Sequence, residues 1–312
     1  MSAPERNLII VHSPRLQARS DFEAVAAAMA ERAPDIAVFI VENRTRASLT
    51  RKKAADRPTL IFSPVPIRDF VPLRGRIVSG RFHPKIDEVR RLAAAGIRIP
   101  ETVLVEPETR LDPETWGPFT VLKPLVGQAG FGVRLVRTRD VTWADPQSWP
   151  VDDPRHGQEI LAQRFIDTGV QAQSFRVMTV FGRPVYCSCS TLLTPRAPLD
   201  PDGANPLDRA IAANSDGARR VEQCYDAAVI DFARDAYRAF PDIPVLAVDM
   251  VREAATGTIY LLEVNPSGYT WHISSDYSDN LRREHHIDYR AQFGAIDIIA
   301  DALIDATRRE AE

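Results

Sequence analysis

The segment Val245–Asn265, VLAVDMVREAATGTIYLLEVN, limits the fold of this chain more than any other stretch. Two apolar runs flank a loop best placed at Ala255-Thr256-Gly257, with glycine third, which reads as a β-hairpin. Folding about Thr256 sets Asp249 directly opposite Glu263, since each lies seven residues away. Cross-strand partners hold their Cβ atoms roughly 4.5–5.5 Å apart. Asn265, two residues beyond Glu263, shares that face. Val248, Met250, Leu262 and Val264 are expected on the other face, where a core belongs. Two carboxylates so close repel unless a cation lies between them. Two carboxylates and an amide oxygen, completed by phosphate oxygens, suit Mg²⁺. A solvent-facing acidic pair is the plainer alternative, but the segment is otherwise apolar and runs into Pro266 and Gly268.

A ribbon with one apolar face needs more sheet and a covering layer. The chain of 312 residues, 45% apolar and 26% charged, is large enough to supply both. NLIIVHS, DIAVFIVEN and PTLIFSPV read as strands, and SDFEAVAAAMAERAP between the first two has helical spacing. This β-α-β opening predicts a parallel sheet with crossover helices. A helix is expected from about Pro84 to Gly96, followed by strands TVLVE, FTVLKPL, GVRLVRT and EILAQRFI. SFRVMTVFGRPVYCSCSTL reads as a hairpin turning at Gly182, residues 194–218 as a surface loop, and RRVEQCYDAAVIDFARDAYRAF as one helix. A last helix is expected in FGAIDIIADALIDATRRE. The three cysteines, Cys187, Cys189 and Cys224, do not suggest a disulfide framework, and small apolar residues on a strand explain the first two better than a metal pair. The net charge of −3 favours neither nucleic acid nor a membrane surface as partner. The opening MSAPERNLII lacks a signal-peptide pattern, so a cytoplasmic protein is expected.

The 39 basic residues include only four lysines: Lys52, Lys53, Lys85 and Lys123. In so arginine-rich a chain, a lysine marks a place where a slim point charge serves and a wide guanidinium does not. Lys52 and Lys53 lie in the charge run RKKAADRP. Lys123 lies in VLKPLVGQAGFGV, ahead of Gly127, Gly130 and Gly132. A P-loop has its lysine after the glycines, at a helix start, and kinase glycines precede the lysine strand. Here the segment after the glycines alternates like a strand. That leaves a glycine hairpin able to close over phosphates, or a plain glycine-rich turn.

Taken together, the lysine strand with its glycine lid and the VDMV…YLLEVNPSG hairpin resemble the ATP-grasp enzymes. The likeness is nearest to the branch of ribosomal protein S6 glutamate ligase, glutathione synthetase and the LysX-type ligases. It covers roughly residues 80–312. It implies an α/β (α+β) ATP-grasp fold with an N-terminal Rossmann-like α/β domain (1–83), a small lid subdomain (84–164) and a C-terminal subdomain (165–312), the last two clamping ATP. By this resemblance Lys85 and Lys123 bind the nucleotide phosphates. Gly127, Gln128, Gly130 and Gly132 shape the lid. Gln163, Arg164, Phe165 and Ile166 line the adenine slot, and Asp167 contacts the ribose. Arg176 neutralises the transferring phosphate. Asp249, Glu263 and Asn265 hold one or two Mg²⁺, with Mn²⁺ as a substitute. Ser174 departs from the pattern, which has an acidic residue two before the arginine. The substrate-side Arg/Asn sequence of the S6 ligase branch is also not recognisable in residues 194–220.

The resemblance implies an ATP-dependent carboxylate–amine ligase: an acyl phosphate forms with release of ADP, then an amine displaces phosphate. The partners would be a small-molecule or peptide carboxylate and an amine acceptor, and a homo-oligomer is compatible with this. A phosphotransferase that stops at a phosphorylated product, or a non-catalytic ATP-binding protein, are the alternatives. No G-x-S-x-G nucleophile occurs. Substrate candidates are His12 and Ser13 at the end of the first strand, where open α/β sheets bind ligands. Others are Arg219 and Arg220, and Ser267, Gly268, Tyr269 and His272 just after the acidic hairpin.

Overall fold

The computed structural model describes residues 3–43, 56–67, 74–126, 130–203, 207–210 and 218–312. Gly127, Gln128, Lys52 and Lys53 lie outside them. The described residues form three sheets.

The first is parallel, in the order β2-β1-β3-β4, from β1 (Arg6–His12), β2 (Ile36–Glu42), β3 (Thr59–Ser63) and β4 (Arg76–Ser79). β4 is a four-residue run too short for its alternation to show in the sequence. Helix α1 (Arg19–Arg32) connects β1 to β2. The chain leaves β1 toward β2 and returns across it to β3, so the carboxyl ends of β1 and β3, at His12 and Ser63, mark the switch point of this sheet.

The second sheet is antiparallel, in the order β11-β7-β6-β8-β5. It contains β5 (Thr102–Leu104), β6 (Phe119–Pro124), β7 (Arg134–Arg137), β8 (Ile160–Arg164) and β11 (Asp208–Ala210). The last of these lies within the stretch expected to be loop throughout.

The third sheet, order β12-β10-β9-β13-β14, carries the acidic hairpin. Its strands are β9 (Gln173–Val180), β10 (Arg183–Leu192), β12 (Arg219–Gln223), β13 (Val245–Arg252) and β14 (Ile259–Asn265). Phe181 and Gly182 make the β9–β10 turn with φ of 47° and 75°, the left-handed pair that a two-residue hairpin requires. The helix expected from Arg219 is shorter than its periodicity suggested. Asp226 caps it, accepting from the Ala228 and Val229 N–H groups, and α4 runs Ala227–Ala236. Arg219–Gln223 instead pairs with β10 as an edge strand.

One face of the third sheet buries Val177, Val248, Met250 and Leu261 against Val229 and Ala233 of α4 and Leu92 of α2 (Lys85–Ala94). The other buries Met178, Val180 and Tyr186 against α7 (Ala295–Glu310), which packs equally on Leu8, Ile10 and Phe62 of the first sheet. α7 thus joins the first and third sheets in one core, each fully buried aliphatic side chain contributing roughly 1.5–3 kcal/mol. The hairpin departs from its expected pattern at one point. A bulge follows Asp249, so Met250 pairs with Leu261. Leu261 therefore enters the core in place of Leu262, and its N–H bonds the Arg98 carbonyl.

Candidate active site

Register alone assembles a polar row across the third sheet. Gln223 faces Ser188, Ser188 faces Arg176, Arg176 faces Asp249, and Asp249 faces Glu263. Paired residues share a face, so five strands present these side chains together. The pairing of Asp249 with Glu263 is the expected one, but the turn is not: Glu253 N–H bonds the Thr258 carbonyl, so the loop spans residues 254–257, and the bulge after Asp249 shifts the register back by one. Arg176 grips Asp249 in a two-pronged ion pair, Nε to Oδ1 at 2.6 Å and Nη2 to Oδ2 at 2.7 Å. The Asp249 charge holds the Arg176 guanidinium more basic than usual, against the opposing effect of burial. Asn265 Nδ2 donates to Asp249 Oδ2 at 3.0 Å.

Beside this row, α2, β6, β8 and β14 enclose a cleft. Lys85 and Glu88 enter from the helix, Lys123 from β6, Gln163 from β8 and Glu263 from β14. Apolar walls come from Val89, Ile99, Leu161 and Leu262. The bulge thus frees Leu262 to line the cleft. Both of the lysines singled out by composition reach this one space. Burial, opposed by Glu263 and reinforced by Lys85, pulls the Lys123 ammonium down to about 8.

Glu88 was not anticipated, although it stands three residues after Lys85 on the same helix face. Burial, and then the Glu263 charge, push its carboxyl up to about 8. A carboxyl harder to ionise in the folded chain binds more protons there, so its contribution to stability falls as pH rises from about 4.5 to about 8. Glu88→Gln is expected to match the parent at pH 4 and to exceed it above pH 8, by on the order of 2–4 kcal/mol. Urea midpoints at the two pH values measure this.

The other candidates divide. Gln163 is buried in the cleft and donates to Thr102 Oγ1 at 3.0 Å. Ile166 is buried nearby in sequence. Arg164 turns instead toward Glu253 (3.8 Å) and the Tyr260 ring, Phe165 packs edge-on against Phe119, and Asp167 pairs with Arg196. The Arg164 and Phe165 N–H groups are committed to the Glu101 and Phe119 carbonyls. Gly130 and Gly132 both have positive φ, and a side chain at Gly132 would collide with Pro124. Between them Phe131 is 72% exposed.

Strand alternation separates the two arginines of β12. Arg219 pairs with Leu192 and lies on the face of Ser188 and Arg176. Arg220 lies on the opposite face and pairs with Glu222 at 2.9 Å. His12 is buried against Phe22, and Ser13 N–H donates to the Gln17 side chain. Ser267 is buried and Tyr269 exposed. His272 bonds Ser275 Oγ through Nδ1 at 3.0 Å, and burial followed by the Arg176 charge pulls its pKa down to about 4. Gly268 has φ of 74°, and a Cβ there would strike the Pro64 carbonyl. Gly268→Ala is therefore expected to cost about 2–4 kcal/mol in the denaturant midpoint, since the obstacle is backbone.

Asp249, Glu263 and Asn265 offer hard oxygen donors, which fit Mg²⁺. Asn265 uses its nitrogen on Asp249, so its carbonyl oxygen is the atom with metal-binding chemistry. Among the described residues no cluster of three or more His, Cys, Asp or Glu side chains is arranged to hold a metal. Phosphate or water oxygens would complete a sphere begun by these three donors.

No family model matches the chain, and no curated protein matches it. Among solved structures it is similar to D-alanine–D-alanine ligase from Bacillus anthracis complexed with ATP, at 14% identity and a TM-score of 0.47, covering 99% of each chain. It is also similar to the ATP-grasp ligase PsnB complexed with minimal precursor, at 12% identity and a TM-score of 0.49, covering 96% of this chain and 99% of that one. A RimK domain protein ATP-grasp from Sphaerobacter thermophilus shares 15% identity with a TM-score of 0.46, over 94% and 98% of the two chains.

Proposed function

We propose that the protein is an ATP-dependent carboxylate–amine ligase acting through an acyl phosphate. The observation that carries this reading is the meeting in one cleft of two lysines from separate elements with Glu263, whose in-register partner across the hairpin is Asp249. Phosphoryl transfer asks for in-line positioning and cancellation of charge more than for a side-chain nucleophile. Lys85 and Lys123 supply positive charge on one side, and Arg176 on the other. Gln163 and the apolar walls hold the base. The glycine-bearing connection between β6 and β7, which carries the exposed Phe131, screens the acyl phosphate from water in this reading. A Mg²⁺ bound by Asp249, Glu263 and Asn265 would offset the charge of the phosphate oxygens.

In the reaction proposed, a substrate carboxylate oxygen attacks the γ-phosphorus and ADP leaves. The amine then attacks the acyl carbon, phosphate leaves, and the amine loses one proton. Arg176 is tied to Asp249, so it serves the phosphate only when that pair opens or is shared. The test is ADP formation with Mg²⁺-ATP and a panel of amino acids, with and without an acceptor amine, and hydroxylamine to trap acyl phosphate. Acid-dependent ADP release with a hydroxamate product supports the ligase. A stable phosphorylated product would point to a phosphotransferase, and no turnover with any acid would count against catalysis of this kind.

A further inference from the structure

The segment after Asn265 passes the acidic pair, yet it is held largely from the far end of the chain. Arg81 N–H donates to the Pro266 carbonyl at 2.9 Å, and Gln17 Nε2 to the Gly268 carbonyl at 3.3 Å. The strongest tie is Asp21, which is fully buried in the first turn of α1. Its Oδ2 accepts from Trp271 Nε1 at 2.9 Å and from Ser274 Oγ, and Arg290 Nη1 stands 3.4 Å from its Oδ1. The Trp271 ring stacks on Phe22, the next residue, at 5.1 Å.

A buried carboxylate is costly unless donors satisfy it. These three donors all belong to residues 271–290, so the acid serves the C-terminal segment more than its own helix. From Ser274 the tie passes to Ser275, which caps α5 (Asp276–His285) and also bonds His272. His272 in turn feels Arg176 of β9 and Asp249 of β13, with the Tyr277 ring of α5 at 4.8 Å and the Tyr186 ring of β10 at 6.3 Å.

We propose that Asp21 is a positioning residue for this loop: by holding Trp271 and Ser274 it sets where His272 stands against Ser275 and the Tyr186 and Tyr277 rings. The proposal rests on the ligase reading only in treating the loop as the acceptor side. A rigid loop places a contact to within a fraction of an ångström, and losing that placement costs rate without removing any reacting group.

The test compares Asp21→Ala, Asp21→Asn and Trp271→Phe with the parent. The through-space NMR contact between the His272 imidazole, assigned with His272→Gln, and the Tyr277 ring is measured in each, and the dissociation constant of Mg²⁺-AMPPNP is measured alongside. In the parent the two rings, with centroids 4.8 Å apart, should show a strong contact. In Asp21→Ala that contact is expected to weaken by about half or more, with nucleotide affinity kept within about twofold. The KM of the acid or amine that supports turnover should rise by about tenfold. Asp21→Asn, which keeps an acceptor oxygen, should recover most of both effects. Trp271→Phe, which keeps an aromatic ring against Phe22 while removing the N–H donor and part of the indole volume, should act in the same direction even if Asp21→Ala does not fold. An unchanged contact between the His272 and Tyr277 rings in both variants overturns the proposal. So does a loss of nucleotide affinity that parallels the weakened contact and is not rescued by asparagine, since that is general loosening. If the parent itself binds no Mg²⁺-AMPPNP, the nucleotide reading fails, and the ring contact still decides the role of Asp21.

Discussion

Lys123→Ala is expected to lower kcat/KM for ATP by about 10²–10³-fold, the loss typical when one preorganised charge facing a reacting oxyanion is removed. The ammonium sits among Lys85, Glu88 and Glu263, and its pKa is already pulled down to about 8. That depression gives the prediction a second arm. A bound triphosphate favours the charged lysine, so binding above pH 8 requires proton uptake. Nucleotide affinity should fall by up to about tenfold per pH unit between about 8 and 10 in the parent, and this slope should be reduced in Lys123→Met and vanish only when Glu88→Gln is added, since that carboxyl titrates in the same window. For stability the sign is the reverse. A lysine harder to protonate when folded costs most below pH 8, and that cost is relieved as pH rises toward 10.5. Removing the charge should therefore stabilise the ligand-free protein at neutral pH while disabling it. Calorimetric titration of Mg²⁺-AMPPNP across pH, with unfolding measured in parallel, reads both. An unchanged kcat/KM in Lys123→Ala would remove this residue from the site.

Glu263→Gln is expected to cost at least as much activity, about 10³-fold, with the dependence on Mg²⁺ concentration displaced upward. The side chain keeps its size, so the loss isolates its charge. The ligand-free chain should again be no less stable and is expected to gain about 1 kcal/mol. Burial, and then the Glu263 charge, push the Glu88 carboxyl up to about 8, and Lys85 and Lys123 offset this only in part. A variant that is sturdier but inactive is the mark of a residue retained for function. A variant that loses activity and stability together would recast Glu263 as structural. Retention of full Mg²⁺-dependent turnover would refute the metal assignment directly.

Much of the site was legible because strand periodicity converts spacing into adjacency. Counting seven residues on either side of Thr256 paired Asp249 with Glu263 correctly, although the turn spans residues 254–257 and a bulge, not the turn, restores that pairing. The scarcity of lysine singled out Lys85 and Lys123, which reach one cleft from α2 and β6. Where local patterns competed, reading failed. RRVEQCYDAAVIDF has helical spacing throughout, yet Asp226 offers a cap and β10 offers an edge, so its first five residues became β12. That change put Arg219 and Arg220 on opposite faces. The bulge after Asp249, which exchanged Leu261 for Leu262 in the core, leaves no mark in a pattern of consecutive apolar residues.

The sequence by itself determined the elements whose order is local: the opening β-α-β, the two hairpins, and which side chains share a strand face. Hydrogen-bond period and turn chemistry act over a few residues, and a chain carries them wherever it goes. Only the tertiary structure decided that Arg176 would spend its guanidinium on Asp249, that Glu88 would join the lysines, and that Asp21 would hold Trp271 from 250 residues away. Such meetings depend on how α1, α2 and the sheets pack, and packing is set by the summed burial of the whole core rather than by any residue near the contact.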